Sequence, residues 1–365
     1  MTVTIREVMT SPDLFGDQFG GDSWATWRAL LIAFFGGQLN EEESRLFVEV
    51  TGRCETIEQV LFELWLAVGR RGGKSIIAGL IALYKAAFFD YTDRLAPGEV
   101  ATVAVLAADR KQARAIFRYV SGLLRSNPMT ERMIVREDAE SIQLSNRTII
   151  EITTASFRSA RGMTYACVLC DEVAYWYSQD SANPDFEIIN AVRPGLATLD
   201  GPLICLSSPY SRHGELWEHY KRHYGQESPI LVAQASSQFM NPSLPQRVID
   251  EAYERDPISA AAEYGGEFRR DIEAFIPQEA VDACIDPDRL DLPPLSGNRY
   301  VAFTDPSGGS QDGFTLAIGH READTLVVDA VRERVPPFSP DDVVSEFSKL
   351  LKTYRVHKVI GDKYG

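Results

Sequence analysis

The sequence predicts an α/β fold built on a mostly parallel sheet, and three observations carry that expectation. Apolar runs of strand length alternate with helix-length segments as far as residue 208. A glycine-rich basic turn, "GRRGGKS" at residues 69–75, joins one such run to a helical pattern. Two further runs, "CVLCDE" and "ICLSS", end in carboxylates and hydroxyls, and the C-terminal ends of strands are where open parallel sheets bind ligands.

The elements follow in order. Ser23 precedes "WATWRALLIAFFG", with Trp24, Trp27, Leu31 and Phe34 at helical spacing. Asn40, with Glu43 three residues on, forms a capping-box start for "EEESRLFVEV". "FELWLAVG" reads as a strand running into the glycine turn and "KSIIAGLIALYKAAFFD" as the helix leaving it. "VATVAVLAA" is another buried strand, and Asp109 and Gln112 cap the helix "DRKQARAIFRYVSGLLRS". Strands follow at "TIIEITT", "YACVLCD" and "PLICLSS", and such continuous apolar runs imply a sheet covered on both faces.

From Asp271 to Asn298 the texture turns rich in Pro and Asp and loses periodicity. This divides the chain into a domain over residues 1–270, a linker over 271–298 and a second domain over 299–365. The second holds three strand-like runs, a helical "SPDDVVSEFSKLLKTYRV" and a last strand, "HKVIGDKYG".

Composition sets the bounds. At 365 residues and 45% hydrophobic content the chain can bury two cores. The best membrane-span candidate, Ile76 to Phe89, is short and carries Lys85. The N-terminus lacks the charged-then-apolar design of a secretion signal, so an intracellular protein is expected. Five scattered cysteines suit a reducing compartment. Cys167 and Cys170 form C-x-x-C within a strand, where positions three apart face opposite ways and cannot share a metal. The net charge of −15 argues against nucleic acid as a partner, but residues 110–136 hold seven bases against Glu131 alone.

The chemistry follows from the turn and the strand ends. Backbone N–H groups of a glycine loop and a helix N-terminus surround phosphate, Lys supplies charge, and Ser holds Mg²⁺. Here Gly72 and Gly73 free the backbone, Lys74 reaches the β/γ phosphates, and Ser75 faces the metal. The first glycine of the phosphate-loop pattern falls on Val68. Asp171 can join the metal shell and Glu172 can polarise an attacking water, which makes the first domain a P-loop ATPase. Ser207 and Ser208 either sense the γ-phosphate or mark a simple exit from strand to turn; spacing alone leaves both open.

The order "GRRGGKS", "VLCDE", "SSP", "TDPSGGSQDGF" and "VIGDKYG", with the upstream "SWATWRALLIAFFG" and "TGR", resembles the large terminase subunit of tailed bacteriophages over nearly the whole chain. The resemblance implies an N-terminal ATPase that drives double-stranded DNA into a preformed capsid, followed by an RNase H-like nuclease domain that cuts the concatemer. Terminases of this kind tolerate a non-glycine at the first loop position and place an arginine in or beside the loop, matching Arg70 or Arg71. By the same resemblance Lys74 and Ser75 are the Walker A pair, Asp171 and Glu172 the Walker B pair, and Ser207 and Ser208 the coupling motif. An arginine finger reaching a neighbouring subunit falls on Arg161 first and Arg158 second.

In the implied nuclease, Asp305 and Asp362 at strand ends ligate Mg²⁺ or Mn²⁺, with Asp312 in a turn nearby. The family's last acidic ligand falls beyond Asp362, so the nuclease is expected to be truncated and inactive. The implied partners are double-stranded DNA, the portal protein, the small terminase subunit and further copies in a homo-oligomeric ring. The implied location is the cytoplasm of the infected bacterial host, with no membrane. Arg110, Arg114 and Arg118 recur every four residues opposite Ala113, Ile116, Phe117 and Val120, a stripe that either follows DNA phosphates or is a solvated face. Two rival readings remain: a P-loop helicase-like ATPase, which lacks carboxylate-bearing strands after a linker, and a non-catalytic assembly subunit, against which intact Lys74 and Glu172 argue.

Overall fold

A computed structural model describes residues 3–54, 59–155, 162–176, 184–269, 283–286, 289–309 and 313–361. The described residues form two compact units, 3–269 and 283–361.

The first unit is an eight-stranded sheet in the order β3-β4-β5-β2-β6-β7-β1-β8. Its strands are β1 (Glu63–Val68), β2 (Ala101–Ala107), β3 (Ile134–Glu137), β4 (Ser141–Leu144), β5 (Thr148–Thr154), β6 (Tyr165–Asp171), β7 (Leu203–Ser207) and β8 (Ile230–Ala235). All pairings from β5 to β8 are parallel, whereas β3 and β4 add an antiparallel hairpin at the edge. The hairpin and β8 are additions to the strands expected from sequence.

The apolar runs are buried because alternate residues enter two separate cores. Leu64, Leu66 and Val68 join one, and Trp65 and Ala67 the other. Cys167 and Cys170 divide the same way, into opposite cores. All five cysteines are free.

Helix starts follow local chemistry. The Asn40–Glu43 capping box is present at the helix Glu41–Thr51, and Asp109 accepts from the Lys111 and Gln112 N–H groups at the helix Arg110–Ser126. The first aromatic helix differs from expectation. A 3₁₀ turn spans Asp22–Trp24 and the helix runs Ala25–Phe34, with no side-chain cap. Arg28 fixes that entry instead, donating to the carbonyls of Phe19 (2.8 Å) and Gly21 (2.6 Å).

The second unit is a four-stranded sheet in the order β11-β10-β9-β12. Its strands are β9 (Tyr300–Asp305), β10 (Phe314–Glu322), β11 (Thr325–Arg334) and β12 (Val359–Gly361), with a helix Pro340–Thr353 before β12. Ala302, Leu316, Ile318 and Ala330 pack with Val343 and Phe347 of that helix. The described stretch 289–292 joins this unit, with Arg332 on Asp291 and the Leu292 N–H on the Asp329 carbonyl.

Candidate functional site

Sheet order builds the site. Strands β6, β7 and β1 lie side by side and parallel, so their C-terminal ends emerge at one edge. The glycine turn leaves β1, Asp171 ends β6, and β7 stands between them and ends at Ser207. The loop strand and the acidic strand are thus separated by the strand that carries the serines.

The turn is held from several sides. Arg71 (φ 64°) and Gly73 (φ 94°) are left-handed. A Cβ on Gly73 would come within 3.1 Å of the Trp27 indole nitrogen, a tight contact added to the left-handed torsion that already favours glycine. Trp27 Nε1 donates to the Gly72 carbonyl (2.8 Å), Ser237 Oγ to the Arg70 carbonyl (2.5 Å) and Asn241 Nδ2 to the Arg71 carbonyl (2.9 Å). Val68 needs no glycine freedom, because it is still a strand residue, paired with Ala235 and buried. The helix Lys74–Ala87 then starts without a side-chain cap, presenting the positive end of its dipole to the turn.

Lys74 is 6% exposed. Its ammonium donates to the carbonyls of Val68 (2.8 Å) and Gly69 (3.3 Å) and to Ser208 Oγ (2.9 Å), and lies 3.8 Å from Glu172 Oε1. Burial pulls its proton affinity down, against the attraction of Glu172 and Asp171.

Glu172 holds a left-handed backbone (φ 50°, ψ 46°), a conformation that costs a non-glycine residue on the order of 1 kcal/mol or more and is found at functional sites. Its Oε2 accepts from the Ser208 N–H (3.0 Å) and lies 3.0 Å from Ser207 Oγ. Ser207 Oγ is also 2.8 Å from the Ser208 carbonyl, so its single proton serves the carboxylate or the carbonyl, one at a time. Asp171 is 6% exposed, and burial, then the neighbouring Glu172 charge, pushes its carboxyl up to about 7.

The remaining residues singled out from sequence are placed less centrally. Arg70 and Arg71 are exposed on the turn, and Arg70 pairs with Glu263 at 3.2 Å. Ser75 is half-buried in the first helical turn. Arg158, Arg161, Asp312 and Asp362 lie outside the described residues. Asp305 is exposed at the end of β9, in the second unit. In that unit β12 runs parallel to β9 with Gly361 opposite Thr304, one residue short of both aspartates.

The basic run is partly neutralised in space. Arg114, Arg125 and Arg136 lie within 4 Å of Glu140, Glu137 and Asp138. On the helix Arg110–Ser126, Ala113, Ile116, Phe117 and Val120 are buried, and Arg114 and Arg118 are exposed.

Sequence reading missed Trp27, Ser237 and Asn241 as partners of the turn. Trp27 was indistinguishable from the aromatic core stripe around it. Ser237 and Asn241 had a readable signal, a strand-like "ILVAQA" ending in "SSQFMN", the same pattern that marked Ser207 and Ser208.

A glycine turn between a parallel strand and a helix, facing an acidic strand end across a serine-bearing strand, sits in an α/β fold with a mostly parallel central sheet. More particularly, the chain has a large-terminase-like fold. It is similar to the bacteriophage HK97 large terminase, with a TM-score of 0.53 at 14% identity over 92% of this chain and 74% of that one. It is also similar to the ATPase domain of the Thermus phage P74-26 large terminase, with a TM-score of 0.43 at 17% identity over 68% of this chain and 98% of that one. No protein-family model and no curated protein matches the chain. Among the described residues no helix is long and apolar enough to cross a membrane.

Proposed function

We propose that the first unit hydrolyses ATP as the motor subunit of a phage-type DNA-packaging machine. The observation that carries this reading is the convergence of Lys74, Asp171, Glu172, Ser207 and Ser208 at one sheet edge beneath the glycine turn.

Lys74 is satisfied by its own loop, so binding a nucleotide means exchanging the Val68 and Gly69 carbonyls for phosphate oxygens. The exchange is favourable because a charge-assisted contact to phosphate is stronger than one to a neutral carbonyl. Glu172 then orients the attacking water and accepts its proton. Its carboxylate is aimed by the Ser208 N–H, and the Ser207 hydroxyl can leave it for the Ser208 carbonyl as charge at the site changes. That choice gives β7 a way to report phosphate loss to the sheet.

Ser75 and Asp171 are hard oxygen donors that suit Mg²⁺, and a buried carboxyl pushed up to about 7 fits a site completed by a cation. Bound there, Mg²⁺ would neutralise phosphate charge. Arg161 is proposed as the finger that reaches a neighbouring subunit's phosphates in a ring, with Arg158 second, and Arg70 or Arg71 as the loop arginine.

The packaging role rests on the terminase-like fold. Double-stranded DNA would be the substrate, with the portal protein and the small terminase subunit as partners in the host cytoplasm, and Arg114 and Arg118 following phosphates. The second unit is proposed as an RNase H-like nuclease domain with Asp305 and Asp362 as metal-binding carboxylates. The parallel register that ends at Gly361 opposite Thr304 supports this. This chain is expected to nick plasmid DNA poorly in Mg²⁺ or Mn²⁺; nicking abolished in Asp305→Ala would show that the two aspartates suffice, and nicking that persists unchanged in Asp305→Ala would remove the nuclease assignment.

The motor reading is tested by triplex displacement. With portal-bearing capsids and small subunit, the chain should strip a third strand from duplex DNA using ATP, and Glu172→Gln should not. Hydrolysis with no displacement under those conditions would leave an ATPase that is no packaging motor.

A further inference from the structure

We propose that a cavity at the N-terminal edge of the first unit's sheet binds a small amphipathic anion, an acid group on an apolar body, with Lys85 as its charge partner. The cavity has a volume of about 930 Å³, within the range of small-molecule sites. Its walls come from the N-terminal segment, the residues just before β1, the C-terminal end of the helix Lys74–Ala87 with the segment that follows it, and the turn before β7. Lys74 and Lys85 lie eleven residues apart on that helix, or about 17 Å at 1.5 Å per residue, so the cavity and the glycine turn occupy its opposite ends. The inference is independent of the nucleotide reading.

The walls are largely apolar, with Ile32, Phe35, Leu61, Tyr84 and Phe89 among them. Lys85 is set into that surface at 6% exposure. Its ammonium sits 3.9 Å from the Phe89 ring centroid and 5.8 Å from that of Tyr91, both of which also line the cavity. Among the described residues no carboxylate or carbonyl lies within hydrogen-bond distance of it. The other two lining cations are matched, Arg94 to Asp200 at 2.8 Å and Arg6 to Glu43 at 2.7 Å. Asp200 acts on Lys85 only at longer range, and burial draws its proton affinity down.

A ring face returns only part of what an ammonium loses with its hydration shell. The position is therefore a largely buried cation beside a mostly apolar space, with Asp200 on the same wall taken by Arg94 and Asp90 by Thr92, which leaves room for an anion against the ammonium. A carboxylate would complete the charge, and an apolar tail would fill the aromatic walls. A neutral ligand would leave the ammonium unmatched, and a cationic one would be repelled.

The test measures binding of octanoate, octanol, octylamine and acetate to the full chain by calorimetry and by protein NMR shifts. Octanoate should bind saturably and at least tenfold tighter than octanol, acetate weakly and octylamine not at all. Lys85→Met should bring octanoate to the level of octanol, and Lys85→Arg should keep the preference. Val60→Trp, at a half-exposed position on the rim, should block the cavity without touching ATP turnover, and it remains informative if Lys85→Met misfolds. Equal affinity for octanoate and octanol in the natural chain would overturn the proposal. So would a preference that survives Lys85→Met, or binding undiminished in Val60→Trp.

Discussion

The Lys74 ammonium lies 2.9 Å from the Ser208 hydroxyl oxygen, a contact that spans 134 residues of sequence. It ties the first residue of the helix after the glycine turn to the end of β7. On the proposed reading Lys74 exchanges its Val68 and Gly69 carbonyl contacts for a phosphate while it stays close to Ser208. Lys74→Ala should therefore lower ATP turnover by about 100-fold or more and weaken nucleotide binding. Phosphate release and fluorescent-nucleotide titration check both. Lys74→Arg should not rescue, because a planar fork cannot enter a pocket shaped around a compact ammonium.

Trp27 tests whether the N-terminal helix supports the turn. Trp27→Phe keeps an aromatic body but leaves the buried Gly72 carbonyl without its 2.8 Å donor. We expect a loss of about 1–3 kcal/mol in urea unfolding and weaker nucleotide binding than the natural chain shows. Unchanged affinity at reduced stability would confine Trp27 to the core.

The sheet strands were legible because β1, β2, β6 and β7 are continuous apolar runs, and the acidic and serine-bearing strand ends broke those runs visibly. The order of strands was not legible, since no local pattern states that β7 lies between β1 and β6; nonlocal packing decides it. β3, with half of its positions exposed, carries too little apolar signal to be read as a strand. The basic run was legible but its partners were not: Glu137, Asp138 and Glu140, which lie within 4 Å of three of its arginines, come just after the run ends.

His320 sets a pH dependence in the second unit. It is 5% exposed, with Nδ1 2.7 Å from Asp329 Oδ2 and Nε2 3.1 Å from Glu322 Oε1, and its ring lies 5.3 Å from that of Tyr300. Hydrogen bonds to Asp329 and Glu322 raise its pKa above the usual 6.5. The folded unit thus holds this proton more tightly than the unfolded chain. The resulting stability is complete below about 6.5 and is lost as pH rises through the folded value. Hydrogen-exchange protection of residues 314–334, corrected for intrinsic rates, should fall over that window and flatten in His320→Gln. A natural chain without the slope would contradict this.

Arg161 carries the ring proposal. Arg161→Ala should bind ATP normally yet lose turnover, and mixing it with Glu172→Gln should restore part of the activity through mixed interfaces. Mixtures without recovery, under conditions where rings form, would assign Arg161 a role within its own subunit.

ATP hydrolysis at the edge where β1, β6 and β7 end depends on the Glu172 carboxylate, so Glu172→Gln is the decisive variant. This change keeps shape and removes the basic oxygen, so phosphate release and nucleotide affinity are measured together on both proteins in Mg²⁺. Phosphate release by the natural chain should depend on the metal and be lost on chelation, and Glu172→Gln should lower turnover by about 10²–10⁴-fold with ATP affinity retained. Turnover unchanged in Glu172→Gln, or no ATP binding by the natural chain at millimolar nucleotide, would contradict hydrolysis at this edge.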